Sequence, residues 1–343
     1  MLKKLCAAVG ICAFLAGAAE AKPLTDLTFV AGAINHPTTT KVFAPFAEEA
    51  TAKFAGKLGI TYKAANTIFK EAESYVTLEN GTADFGRVRA GTFPDKVNLM
   101  GIVDVPGMAP NATVGSAVAQ ELMETFPEVV AEFPKNSVPF TAWASASYQI
   151  HSVKPIKTFE ELKGKTIVVW DDVLGEVAKA FGAKPLRVVS TTTAKYLESG
   201  EADAVLCPMV TVFPYKIDQF AKYHTMIDMG VTSFNILVHK PLLDSMPKDM
   251  QDWIIAQGGM KMSKALAACL EEADAKAAAG MKKQGHTFFT FTPEQRAEGV
   301  KPLEVFVTKW QEKCLAAGVD KAVVEKVLQF TRERVQHHIA AGK

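Results

Sequence analysis

The chain has 343 residues, 38 Lys and Arg against 37 Asp and Glu, and a formal net charge of +1. That length suits two lobes with separate cores better than one core. The charges balance without a basic stripe or a polybasic segment, which excludes nucleic acid or an anionic lipid surface as the partner.

The first residues, MLKKLCAAVGICAFLAGAAEA, carry two lysines, an apolar run from Leu5 to Ala19 and a small-x-small stop at Ala19-Glu20-Ala21. This pattern predicts a secretory signal peptide over 1–21, cleaved after Ala21, and a periplasmic mature chain. The apolar run falls short of the roughly 18 residues a span needs. Ala18, not a cysteine, follows Leu15-Ala16-Gly17, so no direct membrane anchor is expected. Cys6 and Cys12 leave with the signal. The remaining Cys207, Cys269 and Cys314 are too few and too widely spaced for a disulfide framework, although an oxidising compartment permits one bridge between Cys269 and Cys314. No Cys/His cluster has zinc spacing, and His337-His338 reads as a solvated pair in a polar tail. No cofactor is expected.

Leu27–Ala33 reads as an apolar strand, followed by the turn-like INHPTTT. Val42–Leu58 has helical period, with Phe43, Phe46, Ala50 and Phe54 on one stripe and Glu48 and Glu49 opposite. Ile60–Ala64 is a second strand, Phe69–Leu78 a helix closed by Asn80-Gly81, and Ala83–Val88 a third strand. Alternation of this kind gives a parallel sheet with right-handed crossovers. Ala117–Phe133 reads as a helix and Phe140–Ile150 as a strand crossing into a second lobe. There, PIKTFEELKGKTIVVW predicts a helix start capped by Thr158, with Glu161 three residues on, running into a buried strand Thr166–Trp170. A helix at Val173–Phe181 and a strand, helix, Gly200 turn and strand Ala204–Cys207 follow. The second lobe runs to about Lys222, and Phe234–Lys240 is a strand returning to the first. A long helix starts at Met246-Pro247-Lys248-Asp249 and continues to about Lys283, and two helices end the chain.

The word order of residues 155–208 resembles the solute-binding proteins of tripartite ATP-independent periplasmic (TRAP) transporters. Pro155, Ile156, Lys157, Leu162, Lys163, Gly164, Ile167, Pro185, Gly200, Asp203 and Pro208 keep the family's frame without gaps. Asn80-Gly81-Thr82-Ala83-Asp84 repeats its G-x-x-D pattern in the first lobe. The resemblance implies an α/β fold of the two-lobe periplasmic binding protein kind (type II-like). It would have mixed sheets, a ligand cleft between the lobes and a long bracing helix. Lobe I would comprise 22–145 plus about 233–270, lobe II 146–232 plus about 271–320, and the C-terminal helix and tail 321–343. It also implies a monomer that binds a small molecule and delivers it to membrane permease subunits.

In carboxylate-binding relatives an Arg on the Thr166–Trp170 strand pairs bidentately with the ligand. That position is Val168 here, and Leu206 and Cys207 stand for the family's Glu and Asn. A second Arg position is Tyr148, and a stacking aromatic is Ser190. These departures remove anion contacts, so a typical C4-dicarboxylate is not expected. Two substitutes are legible. Arg87 and Arg89 follow the segment Ala83–Gly86 of the third strand, and Arg89 falls five residues past Asp84, where relatives place a ligand contact. A spacing of two puts both on one side of a strand. Trp170 and Asp171, with Tyr148 and Trp143, would form an aromatic and acidic site for an amine, or Asp171 would simply cap the next helix. Asn35 and His36 close the first strand, and Phe213 and Tyr215 follow Pro208 near the implied cleft.

The reading favours a receptor for an amine-bearing or neutral polar solute. Its alternatives are a small organic acid held by Arg89 and Arg87, an exported enzyme on the same scaffold, or a receptor serving a sensor kinase. No G-x-S-x-G, P-loop, G-x-G-x-x-G or H-E-x-x-H pattern supports catalysis.

Overall fold

The computed structural model describes residues 23–342; the signal peptide expected over 1–21 lies outside the described residues. In chain order the strands are β1 (Leu27–Val30), β2 (Ile60–Lys63), β3 (Phe85–Val88), β4 (Ser137–Ala144), β5 (Tyr148–Ser152), β6 (Thr166–Val169), β7 (Lys184–Arg187), β8 (Ala204–Pro208), β9 (Tyr223–Met226), β10 (Ser233–His239) and β11 (Thr287–Thr290). They form two sheets, ordered β2-β1-β3-β10-β4 and β11-β9-β5-β8-β6-β7. β1 runs parallel to β2 and β3, as the alternating pattern requires, and β10 returns antiparallel between β3 and β4. Each sheet is the centre of one lobe, giving the mixed two-lobe α/β fold that the sequence implied.

The same device recurs in both lobes, before β3 and before β8. Gly81 and Gly200 end a helix with φ of +79° and +75°, a conformation that costs other residues a steric penalty. Three residues on, Asp84 accepts the Thr28 N–H at 2.7 Å and Asp203 accepts the Thr166 N–H at 2.8 Å. Each carboxylate thereby fixes the neighbouring parallel strand. The Thr158 cap forms as expected: Thr158 Oγ1 accepts the Glu161 N–H at 3.3 Å, and Glu161 accepts the Lys157 N–H at 2.7 Å. The helix it opens is only one turn, Glu160–Leu162.

The expected strand Phe140–Ile150 divides. β4 belongs to the first sheet and β5 to the second, and residues 145–147 pass between them. Residues 227–232 make the return passage, and the two passages bond to each other. Ser145 N–H donates to Thr232 O at 2.8 Å, Tyr148 N–H to Gly230 O at 3.1 Å, and Met229 N–H to Tyr148 O at 3.1 Å. Gly107 N–H joins from the first lobe, donating to Met229 O at 2.6 Å.

Helices are shorter than their periodic patterns. Ala117–Phe133 becomes Ala112–Thr125, capped by the Asn111 side chain, and Pro127–Ala131, because Pro127 cannot continue the preceding helix. Val42–Leu58 becomes Ala44–Lys53 after a wider turn at Thr39–Phe43, and Phe69–Leu78 becomes Ser74–Glu79 after the turn Glu71–Glu73. The long helix breaks into Lys248–Gln257 and Gly259–Lys283. At the break the chain passes so close to β4 that a Cβ on Gly258 would lie 2.3 Å from Phe140 O.

Phe43, Phe46 and Ala50 are buried as their stripe predicts. They meet Phe29, Phe85, Phe140 and Trp143 in an aromatic core, with Phe29–Phe43 at 5.0 Å and Phe43–Trp143 at 5.3 Å between ring centroids. The C-terminal helices Glu304–Ala316 and Lys321–Ala341 pack back on the first lobe. Trp310 Nε1 donates to Asn98 O at 2.9 Å, and Arg334 forks onto Glu121 with both contacts at 2.8 Å. His338 joins that pair, 3.0 Å from Glu121, so it is not the solvated residue its polar tail suggested. Cys207, Cys269 and Cys314 are buried and free.

The second sheet encloses a feature that no motif announced. His151 Nε2 lies 3.1 Å from Cys207 O, and His151 Nδ1 lies 2.8 Å from His224 Nδ1. His224 Nε2 is 2.9 Å from His286 Nδ1, and His286 Nε2 is 3.3 Å from Lys222 Nζ. A carbonyl only accepts and an ammonium only donates, so both ends demand the same polarity. Lys222 donates to His286, His286 to His224, His224 to His151, and His151 to Cys207 O, each ring neutral with one N–H. Burial pulls His151 down to about 4 and His224 to about 2, and the cation of Lys222 adds to burial at His286 against a smaller opposing pull from Asp218.

Below pH 6.5 the unfolded chain therefore binds a proton at His224 that the folded chain refuses, and stability falls with pH. The cost is about 1.4 kcal/mol per pH unit. Burial acts with the opposite sign on Asp104, pushed up to about 6, and on Glu132 and Asp274, both at about 7, which take up protons in the folded state first. A variant comparison separates the two. His224→Gln should be less stable than the parent at pH 7.5 in urea denaturation, and the gap should narrow by about 2 kcal/mol at pH 5. A gap independent of pH would mean that His224 is not held neutral.

Candidate functional site

Two cavities flank the bonded passages. The larger, about 400 Å³, is lined by Arg89, Asn98 and Asp104 from the first lobe and by Tyr148 and Met229–Thr232 from the passages. Asp171–Leu174 from the second lobe, and Phe306, Lys309, Trp310 and Lys313 from the C-terminal helix Glu304–Ala316, close it. Placement between lobes, a mainly apolar wall and a few converging polar groups are the marks of a small-molecule site. The smaller cavity, about 170 Å³, is lined by His36, Arg87, Trp143, Pro208, Thr211 and Phe234 among others.

The two arginines go to different cavities. β3 ends at Val88, so Arg89 stands beyond the strand and the spacing of two no longer holds it beside Arg87. Arg87 is paired: its Nη2 lies 3.1 Å from Glu71, and its guanidinium sits 5.2 Å from the Phe234 ring centroid. Burial pulls Arg87 below its ordinary value and Glu71 opposes the shift. Arg89 has no ion-pair partner among the described residues; the Nε of each arginine is buried without a hydrogen bond, so the Glu71 contact is what separates them. A half-buried cation without a carboxylate in contact is free to pair with an incoming anion, and burial of that pair on closure strengthens it.

Around Arg89 the cavity is polar. Tyr148 O–H lies 3.3 Å from Thr232 Oγ1, and burial raises its pKa. Asp104 accepts the Ser233 N–H at 2.5 Å, and its rise to about 6 comes from burial, opposed by Ser233 and by the nearby Arg89 and Lys313. Asp171 reaches the cavity but spends one oxygen on the Leu174 N–H at 2.8 Å, capping the helix Asp172–Ala180.

Of the residues chosen from sequence, Arg89, Tyr148 and Asp171 share the larger cavity. Arg87, His36 and Trp143 line the smaller one. His36 there bonds Thr38 Oγ1 at 2.7 Å, and burial, aided by Arg87, lowers its pKa. The remaining choices line neither. Trp170 donates to Thr193 Oγ1 at 3.0 Å and packs edge-on against Tyr215. Ser190 opens a helical turn, Asn35 is exposed, and Phe213 lies against Gly280 of the helix Gly259–Lys283. Cys207 is fully buried in the second lobe's core beside Val168, its thiol pushed up to about 12, and offers neither a ligand contact nor a nucleophile. The amine arrangement of Trp170, Asp171, Tyr148 and Trp143 is not assembled, because the two tryptophans are committed elsewhere.

Asp104, Asn98, Lys309 and Lys313 escaped the sequence reading. Asp104 did leave a signal: a lone carboxylate in the apolar run LMGIVDVPG. The two lysines left none, since they reach the cavity only through the return of a C-terminal helix.

The family model described as bacterial extracellular solute-binding protein, family 7, matches residues 30–313. No curated protein sequence matches the chain significantly. Among solved structures, a TRAP periplasmic solute-binding protein from Desulfovibrio salexigens has a TM-score of 0.81 at 18% identity, over 89% of this chain and 95% of that one. It is an open complex with the C-terminus of a symmetry mate in its ligand-binding site. A TRAP solute-binding protein from Rhodoferax ferrireducens, in complex with copurified benzoate, has a TM-score of 0.76 at 17% identity over 93% and 100%. One from Bordetella bronchiseptica, with bound (R)- and (S)-mandelate, has a TM-score of 0.72 at 18% identity over 91% and 99%. Among the described residues no helix is long and apolar enough to cross a membrane.

The contrast between the arginines has a consequence for stability. Arg89→Met should stabilise the ligand-free protein by about 1 kcal/mol, because it removes an unpaired charge. Arg87→Met should destabilise it by about 1–2 kcal/mol by stranding Glu71. Urea denaturation of both variants checks this; an Arg89→Met protein less stable than its parent would reveal a partner for Arg89.

Proposed function

Because the chain belongs to the bacterial extracellular solute-binding proteins of family 7, the TRAP solute-binding family, we propose that it is an extracytoplasmic receptor for a small organic acid. In this reading the ligand carboxylate pairs with Arg89 in the larger cavity, and the lobes close on it about the bonded passages. The observation that carries it is a half-buried arginine in an interlobe cavity with no carboxylate in ion-pair contact and with its Nε buried and unbonded. The family's Arg position on β6 is the buried Val168, so Arg89 supplies from the first lobe a charge that relatives supply from the second. The amine-bearing ligand favoured by the sequence reading loses its support, since Trp170 is bonded to Thr193 and Asp171 to Leu174. Benzoate and mandelate in similar structures agree with an acid.

Delivery to membrane permease subunits and export by cleavage after Ala21 complete the proposal. Catalysis forms no part of it: the family binds solutes, and the one cysteine near the passages is a protonated core residue. Calorimetry against benzoate, mandelate and related acids tests the site. Arg89→Gln should weaken every acid that binds by about 30-fold to several thousand-fold, the effect of stranding one member of a buried charge pair. Arg87→Gln should change affinity far less. Acid binding undiminished by Arg89→Gln would refute the assignment.

A further inference from the structure

We infer that Asp104 makes this cleft selective for carboxylic acids that carry a hydroxyl beside the carboxylate. The inference rests on the reading of Arg89 as the carboxylate's partner and adds the second half of the ligand. Asp104 lies among the buried Ile102, Val103 and Val105, where a carboxylate is costly to keep. It lines the cavity that Arg89 lines, yet the two make no ion pair. One oxygen holds the Ser233 N–H that starts β10, and the side chain is still partly accessible. Asn98, on the same wall, has its Oδ1 buried without a hydrogen-bond partner.

The wall thus offers a spare donor at Arg89 and spare acceptors at Asp104 and Asn98. Its complement is a molecule with an acceptor at one end and a donor close by. A carboxylate supplies the first. The second is a hydroxyl and not an ammonium. Asp171, Asp172 and Glu176 also line the cavity but are engaged by the Leu174 N–H, Arg187 and Lys179. The charges acting on Asp104 are the cations Arg89 and Lys313, which would repel a ligand cation. The carboxylate of Asp104, pushed up only to about 6, is mainly ionised at neutral pH and accepts the hydroxyl proton. A site built to bond a hydroxyl rejects the analogue that lacks it, since its buried acceptor is then left unpaired.

Matched pairs test this by calorimetry at pH 7.5: mandelate against phenylacetate, and lactate against propionate. The parent should bind the hydroxylated member of a pair at least tenfold more tightly. Asp104→Asn keeps an acceptor for the Ser233 N–H but turns an amide N–H₂ toward the cavity. It should shrink the preference below about threefold; the loss of its negative charge acts on both members of a pair and cancels from their ratio. Arg89→Gln should weaken both members of a pair alike. If the parent binds acids without preferring the hydroxylated member, or Asp104→Asn keeps the preference, the role of Asp104 falls and that of Arg89 stands. If the parent binds no acid of either pair, both fall. Should Asp104→Asn fail to fold, the preference of the parent alone decides.

Discussion

Residues 145–148 and 229–232 bond to each other through their backbones, and the remaining geometry depends on that short ladder. The backbone polar groups of these passages need partners, and each passage is the other's partner. The result joins two sheets by a strip too narrow to form a sheet of its own. Gly230 permits it: its φ of +146° is open to glycine alone, and an added Cβ would sit 3.4 Å from Gly107 N. Because the ladder lies between the lobes, space is left on both flanks, and each flank is a cavity.

What fills those flanks follows from the distribution of charge. On one side Glu71 answers Arg87, and Phe234 covers it. On the other, Arg89 faces the cavity with no carboxylate bonded to it, although Asp104 and Asp171 border the same space. Both acids are held off by backbone: Asp104 by the Ser233 N–H and Asp171 by the Leu174 N–H. Fixing the acids in this way keeps them from collapsing onto the arginine. A binding site needs groups that are preorganised and unsatisfied, and backbone anchoring supplies both.

The histidine chain shows the opposite logic. His151, His224 and His286 are deeply buried, yet every ring nitrogen has a partner and the polarity is fixed from both ends. A fully satisfied polar network can occupy a core where a half-satisfied one could not. It ties β5, β9 and the start of β11 together beneath the cleft, and it anchors the Cys207 carbonyl next to Pro208, which lines the smaller cavity.

The alternation of strands and helices, the two G-x-x-D turns, the Thr158 cap and the frame of residues 155–208 were all legible, and each formed. These are local signals: a glycine that must adopt positive φ, a carboxylate or hydroxyl that reaches a nearby N–H, and an apolar period that marks one face. The sequence also singled out Arg89, Tyr148 and Asp171, which the fold brings into one cavity. It could not tell Arg89 from Arg87, because the difference lies in where β3 ends and in what Glu71 reaches. Nor could it expose the breaks at Phe126 and Gly258 from periodicity alone; the second depends on how closely the chain passes β4. Asp104, Lys313 and the three histidines come from segments far apart in sequence. Their roles arise only when the passages and the returning C-terminal helix set them side by side, since burial and charge pairing are properties of neighbours in space and not of neighbours in the chain.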